Sequence, residues 1–252
     1  MSRITLSNGA TPEERWAAQI AALDAGSHEE PIKKDPITAA RIVDVALTMV
    51  KDTGFDSLTM RRVAAELQTG PASLYAHVRN KAELDDLLIG HLCTKVLIPT
   101  PDAARWTEQI IDVCTQLRDQ FLAYPGISRA ALAAAPRSLD TTRISEGMLA
   151  ILLAGGVEPR DAAWAIDAAY LYVSAYSLEV SLRRGGGSGS GVYHRVDERD
   201  ETIRRLQMLP VEKFPNTVAY AQELTSGNAH ERLDFTVSLL FGGLKSSSSL
   251  AL

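Results

Sequence analysis

An all-α fold in two parts is predicted for this chain by three observations. Apolar residues recur at helical spacing from Ile37 onward. No segment alternates polar and apolar residues as a half-buried strand would. Proline and glycine breaks cut the pattern into helix-sized pieces. The breaks mark a unit of short helices over residues 37–98 and a longer helical region over 99–252, after an extension at 1–36. A length of 252 residues suffices for one large domain or two small ones sharing a core, and 46% hydrophobic with 23% charged residues is ordinary for a soluble globular protein.

Residues 1–36 carry no sustained core pattern. Thr11-Pro12-Glu13-Glu14 signals a short helix to about Leu23, and Gly26 to Asp35 reads as a flexible polar linker. As an arm on DNA the extension is disfavoured by its charge, six acidic residues against four basic. The first helix of the following unit is capped by Thr38. Ile42, Val45, Ala46, Met49 and Val50 face its core, and Gly54 stands where a left-handed residue ends it. Thr59 caps a second helix, Met60 to Leu67, with Val63, Ala64 and Leu67 inward. Gln68-Thr69-Gly70 turns the chain. Pro71 opens a brief third helix to about His77, with Leu74 and Val78 on its core side. Asn80 and Glu83 read as a capping pair for a fourth helix, through Leu84, Leu87, Leu88, His91, Leu92 and Val96 to the break at Pro99 and Pro101.

Further helices are expected at 106–124, 127–134, 139–154, 159–184, 197–209, 216–225 and 229–244. The Gly/Ser run in 185–195 has the composition of a flexible loop. No strand precedes it and it caps no helix, so a phosphate-binding loop is excluded. Ser246–Ser249 reads as a frayed end. Cys93 and Cys114 lie in separate segments with no histidine at metal-ligand spacing, which predicts buried, reduced thiols in a cytoplasmic protein and no metal site. The five histidines, at 28, 77, 91, 194 and 230, are scattered and suggest no triad. No enzymatic role and no cofactor are expected.

Three short helices in about 45 residues, the last two joined by a tight turn, have the helix-turn-helix arrangement, in which the third helix enters the major groove of DNA. Small residues at the start of that helix, Gly70, Pro71, Ala72 and Ser73, let the backbone come close. Tyr75, His77 and Lys81 lie on the side away from Leu74 and Val78, toward phosphates or base edges. The net charge of −5 argues against a nucleic-acid binder, but Thr59 to Lys81 contains Arg61, Arg62, Arg79 and Lys81 against Glu66 alone, a local +3. Periodicity by itself fits a small packing unit with a solvated face equally well, and a helical protein-interaction module that does not bind DNA is the alternative function.

The run from Leu58 through Arg61, Arg62, Val63 and Ala64 to Leu67, followed by Leu74-Tyr75-Ala76-His77-Val78-Arg79-Asn80-Lys81, resembles the DNA-binding domain of the TetR family of regulators over Ile37 to Val96. Its His-Val-Arg-Asn-Lys ending resembles the tetracycline-repressor branch. The resemblance implies DNA contacts from Thr59, Arg61, Ala72, Ser73, Tyr75, His77 and Lys81. Where the family has glycine after the second helix this chain has Gln68. Either Gln68 takes the unfavourable backbone angle or the turn is rearranged.

The segment Ala162 to Leu182 is apolar nearly all round, yet Asp161, Asp167, Glu179 and Arg183-Arg184 argue against a membrane span. Burial on two sides fits better: one against an effector pocket and one against a second subunit. The last helix, with Leu233, Phe235, Val237, Leu239, Leu240 and Phe241, is similar, and two such helices from each of two subunits would form the four-helix homodimer interface that the resemblance also implies. A dimer doubles the base contacts and matches a two-fold double-stranded operator. With about four phosphates neutralised per subunit, log K falls with log salt at a slope near −7. Trp106, Phe121, Tyr124, Met148, Trp164, Tyr170 and Tyr172 are the candidate effector-pocket residues. Few charges fall inside these helices, so an apolar or aromatic small-molecule effector is expected, and repression relieved by it is what the resemblance implies. No histidine pair in the middle helices supports metal–drug chelation.

Overall fold

The computed structural model describes residues 36–133, 138–185, 191–227 and 229–248, so the predicted N-terminal helix and linker lie outside the described residues. Among these, twelve α-helices and no strand occur: α1 Ala39–Thr53, α2 Met60–Glu66, α3 Pro71–Tyr75, α4 Lys81–Thr94, α5 Trp106–Leu122, α6 Ser128–Ala133, α7 Leu139–Ala154, α8 Pro159–Gly185, α9 Gly191–Gln207, α10 Pro215–Ala219, α11 Ala221–Leu224 and α12 Ala229–Ser248. A 3-10 turn, Phe55–Ser57, links α1 to α2.

Helix starts follow side-chain capping. The hydroxyls of Thr38 and Thr59 accept from the backbone N–H of Arg41 and Arg62, and Asn80 Oδ1 accepts from Glu83 N at 2.9 Å. Glu83 does not close a reciprocal box onto Asn80. Its carboxylate instead accepts from the backbone N–H of Arg79 at 2.5 Å. Gly54 ends α1 at φ 81, ψ 157, a region only glycine occupies without strain. The core face of α1 is Ile42, Val43, Ala46, Leu47 and Val50, whereas Val45 and Met49, expected inward, are only partly covered. The stretch is apolar on too many sides for periodicity to pick a face, and packing against α4 decides it.

Further corrections concern where elements begin and end. α3 stops at Tyr75, two residues before His77, because His77 N turns back to Leu74 O. Of the loop expected at 185–195, Gly185 belongs to α8 and the residues from Gly191 belong to α9, while 186–190 lie outside the described residues. The expected frayed end is helical to Ser248, and the piece expected at 216–225 is divided at Tyr220.

α5, α7, α8 and α12 pack around one core. The inner face of α8 combines small residues, Ala162, Ala165, Ala169, Ser174, Ser177 and Ser181, with Val173, Tyr176 and Val180, all buried. Ser177 and Ser181 turn their hydroxyls onto carbonyls one turn back, so this face packs tightly without other polar partners for them. Arg118, 7% exposed, ties α5 to α12 through Asp234 at 3.4 Å. The Pro-broken link between α4 and α5 is held by two glutamine amides of α5: Gln116 on Leu97 and Gln109 on Thr100 and Asp102. Among the described residues no helix is long and apolar enough to cross a membrane.

Candidate nucleic-acid interface and internal cavity

The α2–α3 turn settles how Gln68 is accommodated. Leu67 closes α2, Gln68 N donates to Ala65 O and Thr69 N to Ala64 O, both at 2.9 Å, and Gln68 itself is left-handed at φ 51. This is the paired bonding of a Schellman stop with glutamine in the usual glycine position. The turn is therefore not rearranged. Gly70, at φ −76, is not the residue that supplies the unusual angle.

Behind this turn Val63, Ala64, Leu67, Leu74 and Val78 are buried. In front of it Thr59, Arg61, Ala72, Ser73, Tyr75 and His77 are exposed, Tyr75 by 50%. Six of the seven predicted DNA-contacting residues are thus exposed. Thr59 has its hydroxyl engaged as a cap. The seventh, Lys81, is half-buried: its ammonium pairs with Asp85 and lies 4.1 Å from the centroid of the Phe55 ring.

The local +3 is weaker than the sequence count, because carboxylates of the next turn fold back on it. Arg79 pairs with Glu83, and Lys81 with Asp85. Arg62 donates to Ser57 O at 2.8 Å. Among the described residues only Arg61 of the four cations has neither an ion pair nor a side-chain hydrogen bond. The backbone N–H and then the guanidinium of Arg79 hold the Glu83 carboxyl below the ordinary carboxylate range, while burial pushes Asp85 up against the pull of Lys81.

A cavity of about 400 Å³ lies between α4, α7 and α8. Its lining includes Cys93 of α4, Ile144, Met148 and Leu149 of α7, and Ile166 and Tyr170 of α8. Of the seven predicted pocket residues, Met148 and Tyr170 line it and five do not. Phe121 is fully buried behind the wall and meets Tyr170 edge-on, with ring centroids 6.5 Å apart. Trp106 is buried against Gly155. Tyr124 is partly buried at the end of α5. Trp164 is 67% exposed beneath Arg160. Tyr172 stacks on Tyr176 and accepts from Thr236 of α12 at 3.0 Å. Sequence reasoning missed the rim carboxylates Glu146 and Asp167, which at exposed helical positions look like ordinary solvated side chains. Both cysteines are buried, which pushes each thiol up to about 12.

The unit of short helices is fastened to the rest of the chain on two sides. Phe55 N donates to Pro125 O at 2.9 Å and Arg129 pairs with Asp56 at 2.7 Å. At the far end of α4, Arg143 donates to the carbonyls of Cys93 and Val96 at 2.6 and 2.9 Å.

Comparison with known proteins agrees with this division. Residues 42–85 match the family profile described as bacterial regulatory proteins, tetR family, and residues 98–247 that described as tetracyclin repressor-like, C-terminal domain. An HTH-type transcriptional regulator of Saccharopolyspora erythraea is 29% identical over 66% of this chain and 66% of its own length. The class D tetracycline repressor of Escherichia coli is 30% identical over 57% of this chain and 64% of its own. The chain thus spans just under two thirds of these curated relatives. The crystal structure of apo ActR from Streptomyces coelicolor covers 86% of this chain and 99% of its own at 34% identity and a TM-score of 0.77. ActR in complex with actinorhodin covers 84% and 97% at 35% identity and the same score.

Proposed function

The chain belongs to the TetR family of transcriptional regulators, which bind DNA through a helix-turn-helix, and on that premise we propose that it is a homodimeric repressor that leaves a two-fold operator when a small molecule fills the cavity. The observation that carries this reading is the one-sided build of the α2–α3 unit. Its apolar side chains are buried, while Arg61, Ala72, Ser73, Tyr75 and His77 stand together in solvent. Arg61, without an ion-pair partner among the described residues, reaches a base or phosphate. Ala72 and Ser73 let α3 approach base edges, Tyr75 and His77 hold phosphates, and Lys81 joins them to the extent that Asp85 releases it.

Dimerisation is supported by the outer faces of α8 and α12. Trp164, Leu171 and Leu182 are 67%, 49% and 54% exposed, and Phe235 and Leu239 are 69% and 64% exposed. The first three recur at seven and eleven residues and the last two at four, so each set forms one stripe, and the two helices pack side by side. Large apolar stripes on a soluble chain mark an interaction surface.

Ligand control is supported by α4, which begins at Asn80 beside α3 and brings Cys93 to the cavity wall. A ligand that displaces this helix changes the distance between the two reading helices of a dimer. The ActR complex with actinorhodin supports ligand binding in a relative with this architecture.

An electrophoretic mobility shift with DNA from upstream of the chain's own gene tests the reading. The wild-type protein is expected to shift it as a dimer, and Tyr75→Ala and Arg61→Ala to weaken binding by about 1–3 kcal/mol each. Undiminished binding by both variants would sink the assignment of this face.

A further inference from the structure

The cavity between α4, α7 and α8 carries charge of one sign. Among the described residues its lining includes two carboxylates, Glu146 and Asp167, and no lysine, arginine or histidine. Both stand at the solvent side of the wall. Among the described residues neither has an ion-pair partner. Arg143, on the same helix as Glu146, is the one cation close behind the wall: its guanidinium stays charged on the carbonyls of Cys93 and Val96, one positive charge against the two carboxylates of the rim among the described residues. Further in, the wall is apolar, with Ile144, Met148, Leu149 and Ile166. Its polar feature at depth is the Tyr170 hydroxyl, which is buried without a hydrogen-bond partner. A buried phenol without a partner is unfavourable, and a ligand that bonds to it removes the deficit. Asp86 of α4 adds further negative potential at Tyr170.

These features define a ligand. A volume of about 400 Å³ suits a drug-sized molecule rather than an ion or a macromolecular segment. Apolar walls take an aliphatic or aromatic body, Tyr170 takes one polar group, and the net negative charge that remains at the mouth attracts cations and repels anions. Resting on the effector reading above, we propose that the cavity selects an organic cation: an apolar or aromatic body bearing a positively charged nitrogen group placed at the Glu146–Asp167 rim. Ligands carrying carboxylate or phosphate are selected against. Exposed carboxylates act modestly, on the order of threefold in affinity each, so about tenfold together for a cation, with the opposite sign for an anion.

Two xanthene dyes of similar size and opposite charge test this on the full chain. Fluorescence anisotropy is expected to give rhodamine 123, a cation, an affinity at least tenfold above that of fluorescein, an anion. The double variant Glu146→Gln/Asp167→Asn changes only exposed positions. It is expected to lose on the order of tenfold for rhodamine 123 and to gain for fluorescein. Ser145→Trp, at an exposed lining position, is expected to block both. Equal affinity for the dyes, no binding of either, an unchanged double variant, or full binding by Ser145→Trp overturns the proposal. A mobility shift run alongside separates it from the effector reading. A cation that binds with this preference yet leaves the operator complex intact counts against the effector reading alone. An anion that enters the cavity and releases operator overturns the charge selectivity and leaves the effector reading standing.

Discussion

Replacing Asp85 by asparagine is expected to tighten operator binding, because of where Lys81 sits in the free protein. Its ammonium is held by the Asp85 carboxylate one turn along α4 and against the Phe55 ring, and the two side chains are 33% and 23% exposed. A lysine so paired delivers no net charge to a phosphate. Asp85 also sits above the ordinary carboxylate range, burial outweighing the hydrogen bond and charge of Lys81. A carboxyl raised in this way binds its proton more tightly folded than unfolded. Its stabilising contribution is therefore present at low pH and lost as pH rises through the folded value, and its charge disfavours the fold at neutral pH. Asp85→Asn should leave the protein no less stable while releasing Lys81. Each neutralised phosphate contributes about −0.9 to the slope of log K against log salt. One freed lysine per protomer therefore steepens a dimer's slope by about 1.8, worth about twelvefold in affinity across a fourfold range of salt. Anisotropy of a labelled operator, titrated from about 50 to 200 mM salt, reads this directly. An unchanged slope in Asp85→Asn denies that Lys81 meets the DNA. A wild-type slope that Lys81→Ala already lowers by the full amount denies that Asp85 masks it.

Three other outcomes are expected. Gly54→Ala lowers stability by about 1–3 kcal/mol in thermal unfolding through backbone strain alone, since a Cβ there meets nothing nearer than Pro125 O at 3.9 Å; an unshifted melt would show that the α1 stop relaxes freely. Cys93 and Cys114, with thiols pushed up to about 12, should resist Ellman's reagent at pH 8 in the native protein and react on unfolding; rapid native labelling would contradict their burial. The pair Leu171→Asp and Phe235→Asp, both at exposed positions, should give a folded monomer in sedimentation, whereas a persistent dimer would place the interface elsewhere.

The helix starts were legible because Thr38, Thr59 and Asn80 act on their own backbone within three residues, and such local bonds survive in any tertiary setting. Positions near the α2–α3 turn were legible for the same reason. The face of α1 was not, because Val43 and Leu47 compete with Val45 and Met49 in a stretch that only packing resolves. The aromatic set failed in a related way. Size predicted burial correctly for Phe121 and Trp106, but α8 is apolar all round, and its direction is set by the small residues that fit the core, which leaves Trp164 outside. Glu146 and Asp167 carried no signal, since a carboxylate at a cavity rim and one on a bare helix have the same sequence appearance.

The small inner face of α8 bears on how such a regulator lives among relatives. With alanine and serine making much of the internal fit beside Val173, Tyr176 and Val180, the bulky Trp164, Leu171 and Leu182 of the same helix stand on its exposed side. Trp164, Leu171 and Leu182 can therefore drift in size and shape without a penalty to folding. A bacterium with several regulators of this fold needs each to choose its own copy over its paralogues, which requires mismatches as much as fits. If the outer face of α8 is the pairing face proposed above, keeping it apart from the buried face lets that discrimination diverge after gene duplication while the body, and the cavity it encloses, stays intact.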